Sequence, residues 1–111
     1  MVVCVPVTRD GQVDPRWGRA ARVAVADVED GALSGWREID VAWDDLHDQS
    51  TEGGHHARVA RFLREQAVDT VLAQHMGPDM LHMLGRMGLT VRLGVSGDAR
   101  VAAMSVGGLD A

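Results

Sequence analysis

Residues 53–78 read Gly53-Gly54-His55-His56-Ala57-Arg58-Val59-Ala60-Arg61-Phe62-Leu63-Arg64-Glu65-Gln66-Ala67-Val68-Asp69-Thr70-Val71-Leu72-Ala73-Gln74-His75-Met76-Gly77-Pro78. Val59, Ala60, Leu63 and Ala67 share one face at helical spacing, while Arg58, Arg61, Arg64 and Glu65 occupy the other. The spacing predicts a helix over 55–66. The run 69–74 predicts a strand, and Pro78 suits the first turn of a helix over 78–87 that Gly88 closes. Helix, strand and helix in this order form the crossover unit of a sheet with parallel strands.

The flanking sequence extends that unit in both directions. Residues 2–7 are a short apolar strand, 8–19 a polar loop and 22–28 a second strand. Glu29-Asp30-Gly31 marks a hairpin turn into a third strand over 33–42. Residues 44–54 are acidic and read as a loop, 90–93 as a fifth strand, and 98–105 as a last helix from which Gly107-Gly108 lead out. The result is one α/β domain spanning 1–111, a mixed five-stranded sheet with flanking helices. Strands one to three form an antiparallel meander; strands four and five run parallel to the third. Loops 8–19, 43–54, 75–78 and 94–98 then gather at one sheet edge, where the strands' carboxyl ends meet and open α/β sheets bind ligands.

Composition narrows the function. With 111 residues, 46% apolar and 24% charged, the chain can bury a core without staples. A net charge of −5 excludes unspecific attraction to nucleic acid or anionic membrane. The eleven basic residues are all arginine, and no apolar run approaches spanning length, so the expected location is cytoplasmic. Cys4 is the single cysteine, mid-strand and inert; it excludes a cysteine-only zinc or iron–sulfur site within one chain. No phosphate loop, dinucleotide fingerprint or serine elbow is present.

Three of the five histidines lie at two element boundaries on the loop-rich edge. His56 falls in line with the packed face of its helix, and His55 sits at that face's margin beside Phe62. A helix N-terminus disfavours imidazolium and leaves a lone pair for a metal. Gly53 and Gly54 offer amides to an anionic ligand. The competing interpretation is a helix-start histidine bonded to a carbonyl. His75 follows directly on the fourth strand and is either a ligand beside His56 or a locally bonded loop residue. His82 points to solvent, and His47 belongs to the charged loop. Met76, Met80, Met83 and Met87 recur at helical spacing; the stripe reads as core, with Met76 alone near the site. Asp10, Asp14, Asp44, Asp45 and Asp48 match no calcium loop and read as solvated surface.

Gly11-x-Val13, Trp17-Gly18-Arg19-Ala20, Gly53-Gly54-His55, Val68-Asp69-x-Val71-Leu72-Ala73 with Met76-Gly77, and Gly88-Leu89-x-Val91 together resemble the dinitrogenase iron–molybdenum cofactor biosynthesis family. The resemblance covers essentially the whole chain. It implies a ribonuclease H-like three-layer α/β/α fold and a relation to nitrogenase accessory factors that bind or carry the iron–molybdenum cofactor, its precursors or other metal–sulfur clusters. Arg19, Gly54-His55 and Met76-Gly77 match the family's motif positions. Gln74-His75 departs from the small residues common there and adds a potential ligand.

The expectation is therefore a non-enzymatic binding or carrier protein. His55, His56 and His75 would be ligands to a transition metal or an iron–sulfur or iron–molybdenum cluster, and Arg19, Gly53, Gly54, Met76 and Gly77 would contact it. A cofactor-biosynthesis protein would be the partner. Two alternatives keep the fold: an interaction or regulatory domain anchored by Trp17, Trp36 or Trp43, and a zinc hydrolase with an aspartate base.

Overall fold

The computed structural model describes residues 1–49 and 51–109. Its strands are β1 (Val2–Pro6), β2 (Arg22–Glu29), β3 (Ala32–Asp40), β4 (Thr70–Leu72) and β5 (Thr90–Arg92). Its helices are α1 (Trp43–Asp48), α2 (Glu52–Glu65), α3 (Pro78–Arg86) and α4 (Ala99–Leu109). The sheet order is β3-β2-β1-β4-β5, with β1–β2 and β2–β3 antiparallel and β1–β4 and β4–β5 parallel. β1, β3, β4 and β5 therefore point the same way, and β4 enters beside β1. The β2–β3 turn is the two-residue type with both central residues at positive φ, Asp30 at 53° and Gly31 at 79°, whose twist matches paired strands.

Alternation along the strands divides the core in two. Cys4, Val23, Val25 and Val71 face Val59 and Leu63 of α2 and Met80 and Leu84 of α3. Val3, Val5, Ala24, Ala26 and Leu72 face Ala99, Ala103 and Val106 of α4. The central strands are apolar on both sides because helices cover both faces.

Three departures from expectation bear on the site. The segment after β3 is not all loop: Trp43 is buried to 1% and anchors the short helix α1, with Asp44 and Asp45 in its first turn. Ser50 and the Asp48 side chain lie outside the described residues. Helix α2 begins at Glu52, three residues before the periodicity predicts, because Thr51 caps it, Oγ1 accepting from the Gly54 amide at 3.0 Å. Helix α4 continues past 105 through Gly107 and Gly108 to Leu109.

The 8–19 loop is stitched across the carboxyl edge. Val7 bridges Val13, Gln12 bridges Asp98 and Arg16 bridges His75. The Val13 amide donates to the Gly97 carbonyl at 2.8 Å, and Ala99 donates to Gly11 at 2.9 Å. These contacts hold Arg16–Arg19 over the ends of β1 and β4.

Candidate functional site

A cavity of about 310 Å³ opens at this edge. Its wall is built from the 8–19 loop (Arg16, Trp17, Gly18, Arg19), α1 (His47), the start of α2 (His55, His56) and the β4–α3 junction (His75 to Met80). Four of the five histidines thus converge on it. Volume and mixed lining fall within the range of small-ligand sites.

His55 is the buried member, 2% exposed. Its Nε2 lies 2.7 Å from the Gly18 carbonyl oxygen, which only accepts, so Nε2 carries the proton and donates. Its Nδ1 accepts from the Arg58 guanidinium at 3.0 Å. Burial pushes the His55 pKa below the ordinary 6.5; the bond to Gly18 opposes this, and the charges of His47, Arg58 and His56 add to it. The imidazole is therefore neutral with both nitrogens engaged. His55, expected as a ligand, here bonds to a carbonyl, as a helix-start histidine does. The reversal of burial between His55 and His56 comes from α1, which covers the helix margin. Trp43 meets the His55 ring edge-on at 6.3 Å between centroids and His47 meets it at 5.0 Å.

His56 is half-buried and His75 exposed, each on the lining. Met76 is half-buried, and Met80 serves both cavity wall and core at 5% exposure. A Cβ built on Gly18 would stand 3.9 Å from Met80 Cε and 4.0 Å from His55 Nε2, so the absent side chain keeps this corner open. Trp17 is 2% exposed, and its indole Nε1 is buried without a hydrogen-bond partner among the described residues. Helix α3 begins at the wall with Gly77 as an N-cap that supplies no side-chain bond, leaving first-turn amides and the positive end of the dipole beside the cavity.

Of the expected contacts, Arg19, Met76 and Gly77 line the cavity. Gly53 and Gly54 do not. Because α2 starts before them, they sit inside its first turn, and the Gly54 amide is taken by Thr51. Among the described residues, no three His, Cys, Asp or Glu side chains are grouped closely enough to hold a metal ion. Asp14 is buried instead of solvated; its Oδ1 accepts from the Arg16 amide at 2.9 Å and lies 3.4 Å from Arg16 Nε. Trp17 and Trp43 are core residues packed edge-on at 5.3 Å, which removes both as exposed interface anchors. Trp36 is half-buried under the Arg100 guanidinium, 4.5 Å from its ring centroid.

Among the wall residues not assigned to the site from sequence, Trp17 and Gly18 belong to the quoted Trp17-Gly18-Arg19-Ala20 motif and Met80 to the methionine stripe, while Arg16 and His47 fall in no motif. His47 needed α1 to be recognised, and a turn at Trp43-Asp44-Asp45, with acids at a helix start, was the available signal.

Comparison with solved structures finds the same fold. The apo form of the orange protein from Desulfovibrio gigas aligns with TM-score 0.73 at 25% identity, covering 98% of this chain and 87% of that one. The protein PH0822 aligns with TM-score 0.75 at 19% identity, covering 96% and 90%. A NifB-like protein of the DUF35 family from Thermotoga (TM1290) aligns with TM-score 0.67 at 21% identity, covering 96% and 89%. Comparison with curated proteins finds no match. The model of the dinitrogenase iron–molybdenum cofactor family matches residues 1–106, and the chain belongs to that family.

Proposed function

We propose that this chain is a non-enzymatic carrier that takes an anionic metal–sulfur cluster, related to the iron–molybdenum cofactor of the family's name, as cargo in the cavity at the sheet's carboxyl edge. The observation that carries the proposal is the convergence of imidazoles, thioethers and guanidiniums around one open space of about 310 Å³. A lone metal ion held by the protein alone fits poorly, because metal–nitrogen bonds of about 2 Å require donors to close on one point and the described donors form no such group. A cluster that brings its own sulfides needs only a few contacts spread over a wider wall.

His56 and His75 supply the donor imidazoles and Met76 a soft thioether. Arg16, Arg19 and the uncapped amides at the start of α3 offset the cluster's negative charge. His55 positions: its bonds to Gly18 and Arg58 fix the loop that carries Trp17 to Arg19. The sheet order with helices on both faces supports the ribonuclease H-like three-layer label, and the cargo implies a cofactor-biosynthesis partner in the cytoplasm. Among the described residues, no helix is long and apolar enough to cross a membrane.

Anaerobic titration with isolated iron–molybdenum cofactor tests the proposal. Saturable binding by the native chain, retained in His82→Ala and lost in His56→Ala/His75→Ala, is expected. Equal affinity in the double variant would remove the assigned ligands.

A further inference from the structure

The two edges of the sheet are not equally protected. Open edges pair with other chains, and proteins blunt them with short strands, proline, bulges, charges or a covering segment. β5 is three residues long, too short to template a ladder. β3 spans nine residues, Ala32–Asp40, without a proline. Its irregularity lies near the hairpin, where Ser34 is the extra residue between the Asp27–Gly35 and Val28–Leu33 pairs. From Gly35 to Asp40 the pairing is regular.

The ladder shows which backbone groups of β3 are free. The Val7 amide donates to the Arg22 carbonyl and the Val28 amide to the Met1 carbonyl, so the even-numbered residues of β2 bond to β1. Val23, Val25 and Asp27 then bond to their partners on β3, which are Ile39, Arg37 and Gly35. Trp36, Glu38 and Asp40 turn their N–H and C=O groups outward, and no backbone bond among the described residues reaches them. Trp36 is half-buried, whereas Trp17 and Trp43 are core. The Arg100 guanidinium holds its ring at 4.5 Å, and its Nε1 donates to Glu38 Oε2 at 3.0 Å.

The charges on β3 restrict how such an edge can pair with a second copy. In antiparallel pairing, outward-facing residues lie opposite outward-facing residues, so a two-fold axis passes through a residue and never between two. An axis at Arg37 sets two guanidiniums opposite each other, and one at Glu38 sets two carboxylates. An axis at Ile39 opposes Glu38 and Asp40 twice. Like charges directly opposite are destabilising. An axis at Gly35 puts the Ser34 bulge beside the centre of the ladder. An axis at Trp36 sets indole against indole, Arg37 against Gly35 and Glu38 against Ser34, and opposes no like charges. Cross-strand aromatic pairs stabilise a ladder, and tryptophan is a favoured anchor at the centre of an interface.

We infer that β3 pairs antiparallel with β3 of a second copy of this chain about a two-fold axis at Trp36, which joins the two five-stranded sheets into one. The inference is independent of the cargo proposed above.

Sedimentation velocity of the full chain from about 5 µM to about 500 µM tests it, since association shifts with concentration by mass action. The expected result is a monomer–dimer equilibrium that His82→Ala, on α3, leaves unchanged. Trp36→Lys sets two ammonium groups at the axis and should weaken association about tenfold or more; circular dichroism confirms that this variant folds. Amide hydrogen exchange of the native chain needs no variant. The Trp36 amide should gain protection as concentration rises, while the Arg37 and Ile39 amides, already bonded to β2, stay protected throughout. A dimer that withstands Trp36→Lys, or a Trp36 amide that exchanges equally fast at both ends of the range, would overturn the inference. So would a monomer at every concentration, which would leave the edge to an extended segment of another protein.

Discussion

Replacing His55 with alanine tests the site's framework, and its cost can be worked from the structure. The substitution deletes the donor that meets the Gly18 carbonyl at 2.7 Å; leaving a buried acceptor unmet costs about 1–3 kcal/mol. It also removes a ring that is 2% exposed and packed against Trp43 and His47; the partly collapsed void adds about 2 kcal/mol. Arg58 is half-buried and regains water, so its lost contact contributes little. The sum, about 4 kcal/mol, is a large share of the roughly 5–15 kcal/mol that holds a domain folded. Urea unfolding followed by circular dichroism reads it without relying on tryptophan fluorescence, which the substitution itself perturbs.

The pH dependence of that difference is also fixed. The folded pKa of His55 lies below the ordinary 6.5, so the unfolded chain takes up the proton first as pH falls. The stabilisation is fully present above about 6.5 and declines through the window between the unfolded and the lower folded value, by at most about 1.4 kcal/mol per pH unit. The gap between native chain and His55→Ala should therefore narrow from about pH 7.5 to about pH 5.5. A gap below about 1 kcal/mol at the higher pH, or one that widens in acid, would refute the neutral, doubly bonded imidazole.

Three further outcomes follow from particular residues. Thr51→Ala should cost about 1 kcal/mol in urea unfolding, because the capping bond to Gly54 is lost. Gly88→Ala should cost about 1 kcal/mol in the same assay, since φ there is +81° and no neighbour crowds the position, leaving backbone strain alone. Cys4 should resist iodoacetamide in the folded chain at about pH 8 and react promptly in denaturant, as its buried thiol holds its proton; fast labelling of the folded chain would contradict its burial.

The fold was legible where periodicity and punctuation agree. Val59, Ala60, Leu63 and the Asp69–Ala73 run announce a helix and a strand, Pro78 and Gly88 bracket α3 closely, and Asp30-Gly31 declares the hairpin. The gathering of loops on one edge follows from strand direction, which the element order dictates. What the sequence hides is tertiary. A six-residue helix such as α1 has too little periodicity to stand out from its acidic composition, and its Trp43 decides which of two adjacent histidines is buried. Gly53 and Gly54 look like helix-breaking residues ahead of a helix, yet Thr51 caps the turn that contains them. Asp14 looks like a solvated loop acid until the stitching of 8–19 buries it under Arg16. The burial of His55 under α1 and of Asp14 in the stitched loop arises from contacts between segments distant in sequence, which local spacing does not encode, whereas the Thr51 cap is local and shifts only where the helix starts.

The central claim is that the cavity receives an anionic metal–sulfur ligand. Its most direct test is a two-dimensional amide NMR titration of the chain with tetrathiomolybdate, a diamagnetic anion of that class. Saturable shifts confined to 16–19, 47, 55–56 and 75–80 are predicted, and sulfate at equal ionic strength should not reproduce them. Shifts scattered over the surface, or centred on the opposite edge around Asp30 and Gly31, would contradict it.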